Sequence, residues 1–222
     1  MSATVLTVVP DVKPRATSHR QRQASQTRKL IVQAARNLFS GGGYAATSIE
    51  AVAEHAGVSP RTIYAAFGNK KGILAAICED WLEEAGVRET VSRGLAEPDL
   101  GRRLVLVAHS SRHQWESERG VIALMDGAAA SDAEVARMLA AWKDERARSL
   151  RLVFEGLEEQ LRPGLDANEA GAMLRALTSA DVYVELTMGE GWSGDRYERW
   201  LTELLHHQLL PEAAASTRRR ST

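Results

Sequence analysis

The stretch from Thr47 to Phe67 constrains the fold more than any other part of this 222-residue chain. It holds two short helical patterns separated by Gly57, a residue that readily adopts the left-handed conformation of a sharp helix exit. In the first pattern, "TSIE" predicts a capping box in which Thr47 and Glu50 exchange hydrogen bonds. In the second, "SP" predicts that Ser59 caps a helix whose first turn contains proline. Two such helices indicate a helix-turn-helix or, alternatively, an ordinary helical corner.

Apolar residues at helical spacing predict that the whole chain is all-α. The first helix is expected from Thr27 to the glycines at 41–43, and the fourth from Lys70. Further helices are predicted at residues 99–116, 120–128, 131–160, 168–188 and 194–210. The expected organisation is a flexible basic arm, a three-helix domain, a larger helical domain and a flexible tail, at residues 1–25, 26–71, 72–212 and 213–222.

Charge is distributed unevenly between these domains. From Lys13 to Lys71 there are ten Lys and Arg residues against two acidic ones, whereas residues 72–222 carry eighteen basic and twenty-six acidic residues. The basic segment favours a polyanionic partner, although a solvated basic helix face would have the same composition. The short second helix of a helix-turn-helix fits the DNA major groove. The basic arm before the corner and Lys70 and Lys71 after it therefore favour DNA binding.

Cysteine content and hydropathy limit the remaining classes of protein. Cys78 is the only cysteine, which excludes an intramolecular disulfide and a four-cysteine zinc site. There is no signal-peptide pattern and no apolar run of membrane-spanning length, so we expect a cytoplasmic protein without a membrane partner. No nucleophile with a partnered base is recognisable, so neither catalysis nor a cofactor is expected.

The segment from about Arg28 to Ile77 resembles the tetracycline-repressor-like (TetR) family of bacterial transcription regulators. Its "ARNLFSGGGYAATSIEAVAEHAGVSPRTIYAAFGNKKGIL" contains the family's glycine–aromatic turn, its threonine-capped second helix, "AGVS" and the lysine that opens helix four. The resemblance covers about a quarter of the chain. It implies an N-terminal helix-turn-helix DNA-binding domain and a larger C-terminal helical domain that binds a ligand and dimerises. The implied function is a regulator, more often a repressor than an activator, that a small-molecule inducer releases from DNA.

The resemblance also implies which residues contact DNA. Arg61, Thr62 and Tyr64 would face the groove, while Thr47 and Lys70 would hold phosphates. Arg61 would either bond to guanine or contact phosphate. The full candidate set is Arg28, Thr47, Ser59, Pro60, Arg61, Thr62, Tyr64, Lys70 and Lys71. The residues of the arm that would either enter the minor groove or remain a solvated tail are Arg15, Arg20 and Arg22.

The last two predicted helices are the candidate dimer interface, because they carry more apolar surface than one core contact requires. A twofold dimer would bind a palindrome. The alternative is that all these residues belong to the internal core. The candidates are Leu177, Val184, Trp200, Leu201, Leu204 and Leu205, with Leu174 and Leu186 beside them.

The central helices carry candidate ligand-binding residues, although large apolar side chains in a helical domain are core by default. The candidates are Trp81, His109, His113, Trp115, Met125 and Trp142, with Phe154 as a further aromatic residue. His109 and His113 lie four residues apart with Glu116 beyond them, a weak metal-ligand pattern. The rival functions are therefore a DNA architectural protein without sequence specificity and a helical metal-binding protein that uses these two histidines.

Overall fold

The structure, a computed structural model, describes residues 19–117 and 119–212. These residues form helices and connecting turns without a β-strand, which confirms the all-α prediction. Within the described ranges, no helix is both long enough and apolar enough to cross a membrane. The α-helices are α1 His19–Gly42, α2 Ile49–Ala56, α3 Pro60–Phe67, α4 Lys70–Glu84, α5 Val87–Ala96, α6 Leu100–Ser117, α7 Arg119–Ser131, α8 Ala133–Arg151, α9 Ala167–Leu177, α10 Ala180–Val184 and α11 Gly194–Leu209.

Helices α1 to α3 form the N-terminal three-helix unit, and the first turns of α4 close it. Apolar residues spaced three or four apart on α1 meet one face of each short helix, as an amphipathic pattern requires. The side chains of Ile31, Phe39 and Ile63 are almost fully buried, and the rings of Phe39 and Tyr44 pack edge to face at 5.2 Å. This arrangement confirms the predicted helix-turn-helix architecture.

The larger domain is built around α6, which packs against α5 and α11, while α8 packs against α7 and α9. Leu100 and Leu104 of α6 and Tyr197 and Leu201 of α11 have no exposed surface. Helix α4 belongs to both domains. Its residues Ile73–Ile77 pack with the three-helix unit, and Trp81 lies in the larger domain.

One of the two N-terminal caps of the helix-turn-helix lies one residue away from the position that the sequence predicts. Ser48, and not Thr47, caps α2, since its Oγ accepts a hydrogen bond from the amide of Ala51 at 3.1 Å. Thr47 is buried, and its hydroxyl donates to the carbonyl of Gly43 at 2.9 Å. Ser59 caps α3 as predicted, with proline in the first turn. Gly57 has φ of 68°, the left-handed conformation predicted for the corner.

Sequence reasoning also placed one helix start wrongly and missed one helix. Helix α1 begins at His19 rather than Thr27, so Arg20 and Arg22 lie on a helix instead of in a flexible arm. Arg15 and the predicted flexible segments 1–18 and 213–222 lie outside the described residues. Helix α5 was not predicted at all.

The two longest predicted helices are each interrupted. The one expected at 131–160 ends with α8, and two short 3-10 turns, Leu152–Phe154 and Glu158–Gln160, follow it. The one expected at 168–188 breaks after α9, because the Thr178 hydroxyl bonds back to the Leu174 carbonyl and Ser179 caps α10. A π-helical turn, Glu185–Gly189, then completes this region.

Candidate DNA-binding surface and ligand cavity

Helix α3 presents side chains that the fold does not use. Ile63 faces the core, whereas Pro60, Arg61 and Tyr64 lie on the exposed side. Tyr64 is 50% exposed, which is unusual for an aromatic side chain on so short a helix. Within the described part of the chain, Arg61 makes no side-chain hydrogen bond or ion pair. The two large polar side chains of this face are therefore available to a partner.

Thr62 has a second role at the start of the same helix. Its hydroxyl lies 2.9 Å from Oγ of Ser59, and its amide donates to the same oxygen at 3.2 Å. Ser59 and Thr62 thus stabilise one another at the N-terminus of α3. Pro60 stands between them and offers no donor, and the Thr62 hydroxyl is engaged with Ser59, which leaves Arg61 as the free donor of this helix turn.

Lys70 holds the turn between α1 and α2 rather than projecting into solvent. Its ammonium donates to the carbonyls of Tyr44 at 2.7 Å, Thr47 at 3.0 Å and Ala45 at 3.4 Å, and lies 4.3 Å from the centroid of the Tyr44 ring. An ammonium group has three protons, so these contacts use all of them. In this structure Lys70 and the buried hydroxyl of Thr47 are engaged within the fold, and the phosphate role implied for them stays a prediction.

Arg28 and Lys71 also make contacts within the chain. Arg28 donates to the carbonyl of Ala66 at 3.1 Å and its guanidinium covers the Phe67 ring at 4.3 Å, so it stabilises the C-terminal end of α3. Lys71 pairs with Glu134 at the start of α8. The hydrogen bond and charge of Lys71 lower the pKa of the Glu134 carboxyl. Both basic side chains remain at least partly exposed.

The three-helix unit meets the larger domain at the corner between α7 and α8. Besides the Lys71–Glu134 pair, the buried hydroxyl of Tyr44 faces this corner. Burial, followed by the nearby carboxylates of Asp132 and Glu134, raises the pKa of Tyr44 to about 12. The turn that Lys70 holds is therefore in direct contact with the first turn of α8.

The larger domain contains a cavity of about 540 Å³, within the usual range for small-molecule sites. Its aromatic wall includes Trp81 and Trp115, whose rings lie 5.6 Å apart, and Trp142. Met125 lines the same space. Four of the candidate ligand-binding residues thus surround one cavity, whereas Phe154 is fully buried in the core.

His109 and His113 do not line this cavity. Both side chains are exposed, their rings lie 4.2 Å apart, and His109 Nδ1 is 3.0 Å from a carboxylate oxygen of Glu198. Glu116, the third member of the weak metal pattern, accepts a hydrogen bond from Arg112 at 2.9 Å. Among residues 19–117 and 119–212, no group of three or more His, Cys, Asp or Glu is placed to hold a metal ion.

Helix α5 forms a wall of the cavity that sequence reasoning missed. Val87, Val91 and Leu95, spaced four residues apart, all line the cavity, and no residue of α5 is buried. Such an apolar stripe normally faces a core. Here it faces open space. The spacing of 87, 91 and 95 was the signal that would have identified this helix.

Polar groups of the cavity gather at the break between α9 and α10. The carbonyl of Thr178 accepts from Trp115 Nε1 at 3.0 Å and from Arg146 Nη2 at 2.7 Å, and the Thr178 hydroxyl lies 2.8 Å from the same nitrogen. Cys78 also lines the cavity. Burial raises the pKa of its thiol to about 12, and the thiol donates to Met125 sulfur at 3.0 Å, as expected for an unreactive core cysteine.

The candidate dimer residues divide into two groups. Leu201 and Leu205 are fully buried within the subunit, as is Leu174, so these side chains belong to its core and the interface prediction is wrong for them. Leu177, Trp200 and Leu204 are partly buried, and Val184 is 37% exposed. Met188 in the π-helical turn is 61% exposed and was missed by sequence reasoning.

Comparison with known proteins extends these observations. Residues 31–77 match the family model described as bacterial regulatory proteins, tetR family. UidR, an HTH-type transcriptional regulator of Escherichia coli K12, is 37% identical over 57 residues, or 26% of this chain and 29% of UidR. The matched segment therefore spans less than a third of the length of this relative.

Solved structures share the fold over most of the chain. NalD, the secondary repressor of the MexAB-OprM multidrug efflux pump of Pseudomonas aeruginosa, has a TM-score of 0.66 at 22% identity and covers 85% of this chain and 97% of NalD. The SmeT–triclosan complex has a TM-score of 0.69 at 22% identity, covering 85% and 93%. A regulator from Saccharomonospora viridis in complex with choline has a TM-score of 0.60 at 22% identity, covering 84% and 98%.

The match of residues 31–77 coincides with the core of the helix-turn-helix and the start of α4, the segment that carried the resemblance in the sequence. The structural likeness, at these low identities, concerns the fold of both domains. The segment that holds the helix-turn-helix is therefore similar to the tetR family of bacterial regulatory proteins.

Proposed function

We propose that this protein is a ligand-responsive, sequence-specific DNA-binding regulator that represses transcription in the bacterial cytoplasm. The observation that carries the proposal is the exposed face of α3. Arg61 and Tyr64 project from it, while Ile63 on the opposite side fixes the helix to the core. A short helix held rigidly with free polar side chains is suited to reading the major groove.

On this proposal, sequence discrimination comes mainly from Arg61. A bidentate contact from arginine to guanine O6 and N7 contributes about 1–3 kcal/mol against a wrong base. Tyr64 and the amides at the N-terminus of α3 would fix the register against the phosphate backbone. Because Lys70 and Thr47 are engaged within the fold, they would support this surface by holding the turn beside it.

A homodimer is part of the proposal, since one eight-residue helix reads only a few base pairs. Two copies related by a twofold axis would place their α3 helices on half-sites about 34–36 Å apart, or a multiple of that spacing. Val184, Met188, Trp200 and Leu204 supply apolar surface near the last helices that the subunit leaves uncovered. These residues replace Leu201 and Leu205 in the proposed interface.

The proposed effector site is the cavity, and α4 is the proposed lever. The SmeT and Saccharomonospora viridis structures contain triclosan and choline, which supports a ligand role for a domain of this fold. Cys78 and Trp81 of α4 line the cavity, while Lys70 on the same helix holds the α1–α2 turn. A ligand alters DNA affinity only by its differential affinity for two conformations. A compound that releases DNA without changing hydrogen exchange in α4 would contradict this lever.

The decisive experiment is selection of bound sequences from a random duplex library at physiological salt. Native protein is compared with Arg61→Ala and Tyr64→Ala, and with Arg93→Ala as a matched control on an exposed face of α5. We expect native protein and the control to enrich the same palindrome. Arg61→Ala should relax the preference at one position of each half-site, and Tyr64→Ala should weaken binding at all of them.

Other outcomes would contradict the proposal in different ways. Tight, salt-sensitive binding without an enriched sequence would indicate a DNA architectural protein. Absence of duplex binding would reject the DNA-binding function altogether. If Arg61→Ala enriches the same sequence as native protein, then Arg61 does not recognise a base.

A further inference from the structure

Arg146 of α8 is a charged group of the cavity wall that has hydrogen-bond donors to spare. It lies on the cavity side of its helix, with its guanidinium carbon 5.4 Å from the centroid of the Trp115 ring. Only Nη2 donates to the protein, to the carbonyl and hydroxyl of Thr178. In the described part of the chain, Nε and Nη1 have no acceptor. A guanidinium carries five N–H donors, so most of its hydrogen-bonding capacity is unused.

No carboxylate of the described residues pairs with this guanidinium. The acidic residues that border the cavity, Asp126, Glu145 and Asp181, are all exposed, and Glu145 pairs with Arg148. Burial lowers the pKa of Arg146 to about 10, so the side chain remains a cation at neutral pH. This half-buried guanidinium has uncharged acceptors on one nitrogen and no opposite charge to offset its desolvation.

Four basic residues line the cavity. Lys143 and Arg175 are exposed, whereas Arg103 is buried and differs from Arg146 in its hydrogen bonds. Arg103 is 7% exposed and donates to the carbonyls of Leu95, Glu97, Val153 and Glu155. These carbonyls lie at the C-terminal end of α5 and in the turn after α8. Arg103 therefore satisfies the acceptors of two helix ends, and its donors have a complete structural role. Arg146 has no comparable set of acceptors. Of the two less exposed cations in the cavity wall, Arg103 and Arg146, only Arg146 has donors without acceptors.

The rest of the cavity is suited to an apolar body. The stripe of Val87, Val91 and Leu95 faces it from α5, and three tryptophans face it from α4, α6 and α8. A ligand that only filled this space would not need Arg146, and a small inorganic anion would leave the apolar walls uncovered.

We propose that the effector of this protein is an amphipathic organic anion, whose carboxylate binds Nε and Nη1 of Arg146 and whose apolar body fills the space between α5 and the tryptophans. This assignment rests on the proposed function, since it names the chemical class of the ligand that the regulator senses. It requires one negative charge at one end of a molecule that fits about 540 Å³. The polar end lies beside Thr178, where α9 breaks.

A purely structural role for Arg146 gives a different expectation. On that view, the guanidinium only satisfies the Thr178 carbonyl that the helix break exposes. Trp115 already donates to that carbonyl, and one nitrogen of Arg146 is enough for the remaining bond. A structural role therefore predicts that bound ligands show no preference for negative charge.

The test uses matched sets of probes on the full-length protein. Adamantane-1-carboxylate is compared with adamantane-1-carboxamide and 1-adamantylmethylammonium, and decanoate with decanamide and decylammonium, by isothermal titration calorimetry. The variants are Arg146→Gln, Arg146→Lys and the control Arg148→Gln, which alters an exposed arginine on the same helix. Circular dichroism verifies that each variant remains helical.

In the native protein and in Arg148→Gln, the acid should bind about tenfold to a hundredfold more tightly than its amide in at least one framework, the range expected for a charge-assisted hydrogen bond. The ammonium compound should bind more weakly still. Arg146→Gln should abolish the preference, and Arg146→Lys should retain part of it.

The proposal is overturned if amide or ammonium binds as tightly as acid in both frameworks, if no acid binds, or if Arg146→Gln keeps the preference. If Arg146→Gln does not fold, the proposal is decided by the order of affinities for acid, amide and ammonium in native protein and in Arg146→Lys. The duplex selection separates the two proposals. An enriched operator without an acid preference rejects the ligand class alone, whereas an acid preference without an enriched operator rejects the regulatory function.

Discussion

The three-helix unit and the cavity wall differ in how completely their apolar side chains are packed. In the first, Ile31, Ile63 and Leu74 have no exposed surface. In the second, α5 has no buried residue, and Val91 and Leu95 are each 37% exposed, towards the cavity. Close packing keeps a surface rigid, whereas a wall whose cavity-facing side chains are only partly packed is freer to move when a ligand fills the space. The contrast fits the proposed function, in which the packed region recognises DNA and the open one responds to a ligand.

Identical leucine truncations should separate the two regions most clearly. Leu74→Ala empties a fully buried site and should lower the free energy of unfolding by about 2–5 kcal/mol. Leu95→Ala shortens a side chain that already faces the cavity, so the loss should be within about 0.5 kcal/mol. Urea unfolding at a fixed protein concentration measures both. Equal losses would show that the cavity closes in solution and that the contrast does not exist.

A methyl group added to glycine tests close approach in the packed region. At Gly72 in the first turn of α4, a Cβ would overlap the carbonyl oxygen of Phe67, so the junction between α3 and α4 must shift. We expect Gly72→Ala to cost about 1–3 kcal/mol, as overpacking does. Because the junction positions α3, DNA affinity should fall as well.

Gly127 of α7 is the matched control for this substitution. A Cβ there meets nothing within 4 Å, so Gly127→Ala should stabilise the helix by about 0.5–1 kcal/mol. Thermal unfolding followed by circular dichroism measures whether each substitution stabilises or destabilises the protein. If Gly72→Ala is neutral, the α3–α4 junction is not as rigid as its geometry indicates.

The same contrast explains what the sequence was able to predict. The corner at Gly57 and the cap at Ser59 depend on neighbours within three residues, so local pattern was sufficient. The cap of α2 was missed by one residue, because Thr47 and Ser48 both have capping chemistry and only packing decides that Thr47 turns inward. Local sequence thus identified the motif but not the use of each hydroxyl.

The cavity was less predictable because its contacts join distant parts of the chain. Four tryptophan and methionine candidates were found from residue type alone. The role of Arg146 depends on Thr178, 32 residues away, and on a helix break that the apolar pattern of α9 and α10 conceals. Helix α5 was missed for a related reason. Its apolar stripe is narrow because it faces an open cavity instead of a core.

The adjacent lysines Lys70 and Lys71 allow a test with a smaller expected effect. It distinguishes a role in stabilising the fold from a contact with DNA. Lys70→Met leaves the carbonyls of the α1–α2 turn without their donor and should cost about 1–3 kcal/mol. Lys71→Met removes one exposed ion pair and should destabilise the protein less. The salt dependence of operator binding decides the phosphate question. Its slope should be unchanged in Lys70→Met, and a decrease of about one would restore a phosphate contact to Lys70.

The contact between the two domains gives the smallest effect, visible only at high pH. The pKa of Tyr44 is raised from 10.0 to about 12, by burial first and then by Asp132 and Glu134, so the folded state holds the hydroxyl proton more tightly than the unfolded state does. The resulting stabilisation is fully present below pH 10 and is lost as the pH rises from about 10 to about 12.

Tyr44→Phe removes this titration and leaves the ring beneath Lys70 in place. We therefore expect the difference in unfolding free energy between native and Tyr44→Phe protein to fall from pH 9 to pH 11.5. Lysine deprotonation in the same range affects both proteins and cancels from that difference. A constant difference would mean that Tyr44 reaches solvent and that the α1–α2 turn is not held against α8. The three-helix unit would then be coupled to the cavity through α4 alone.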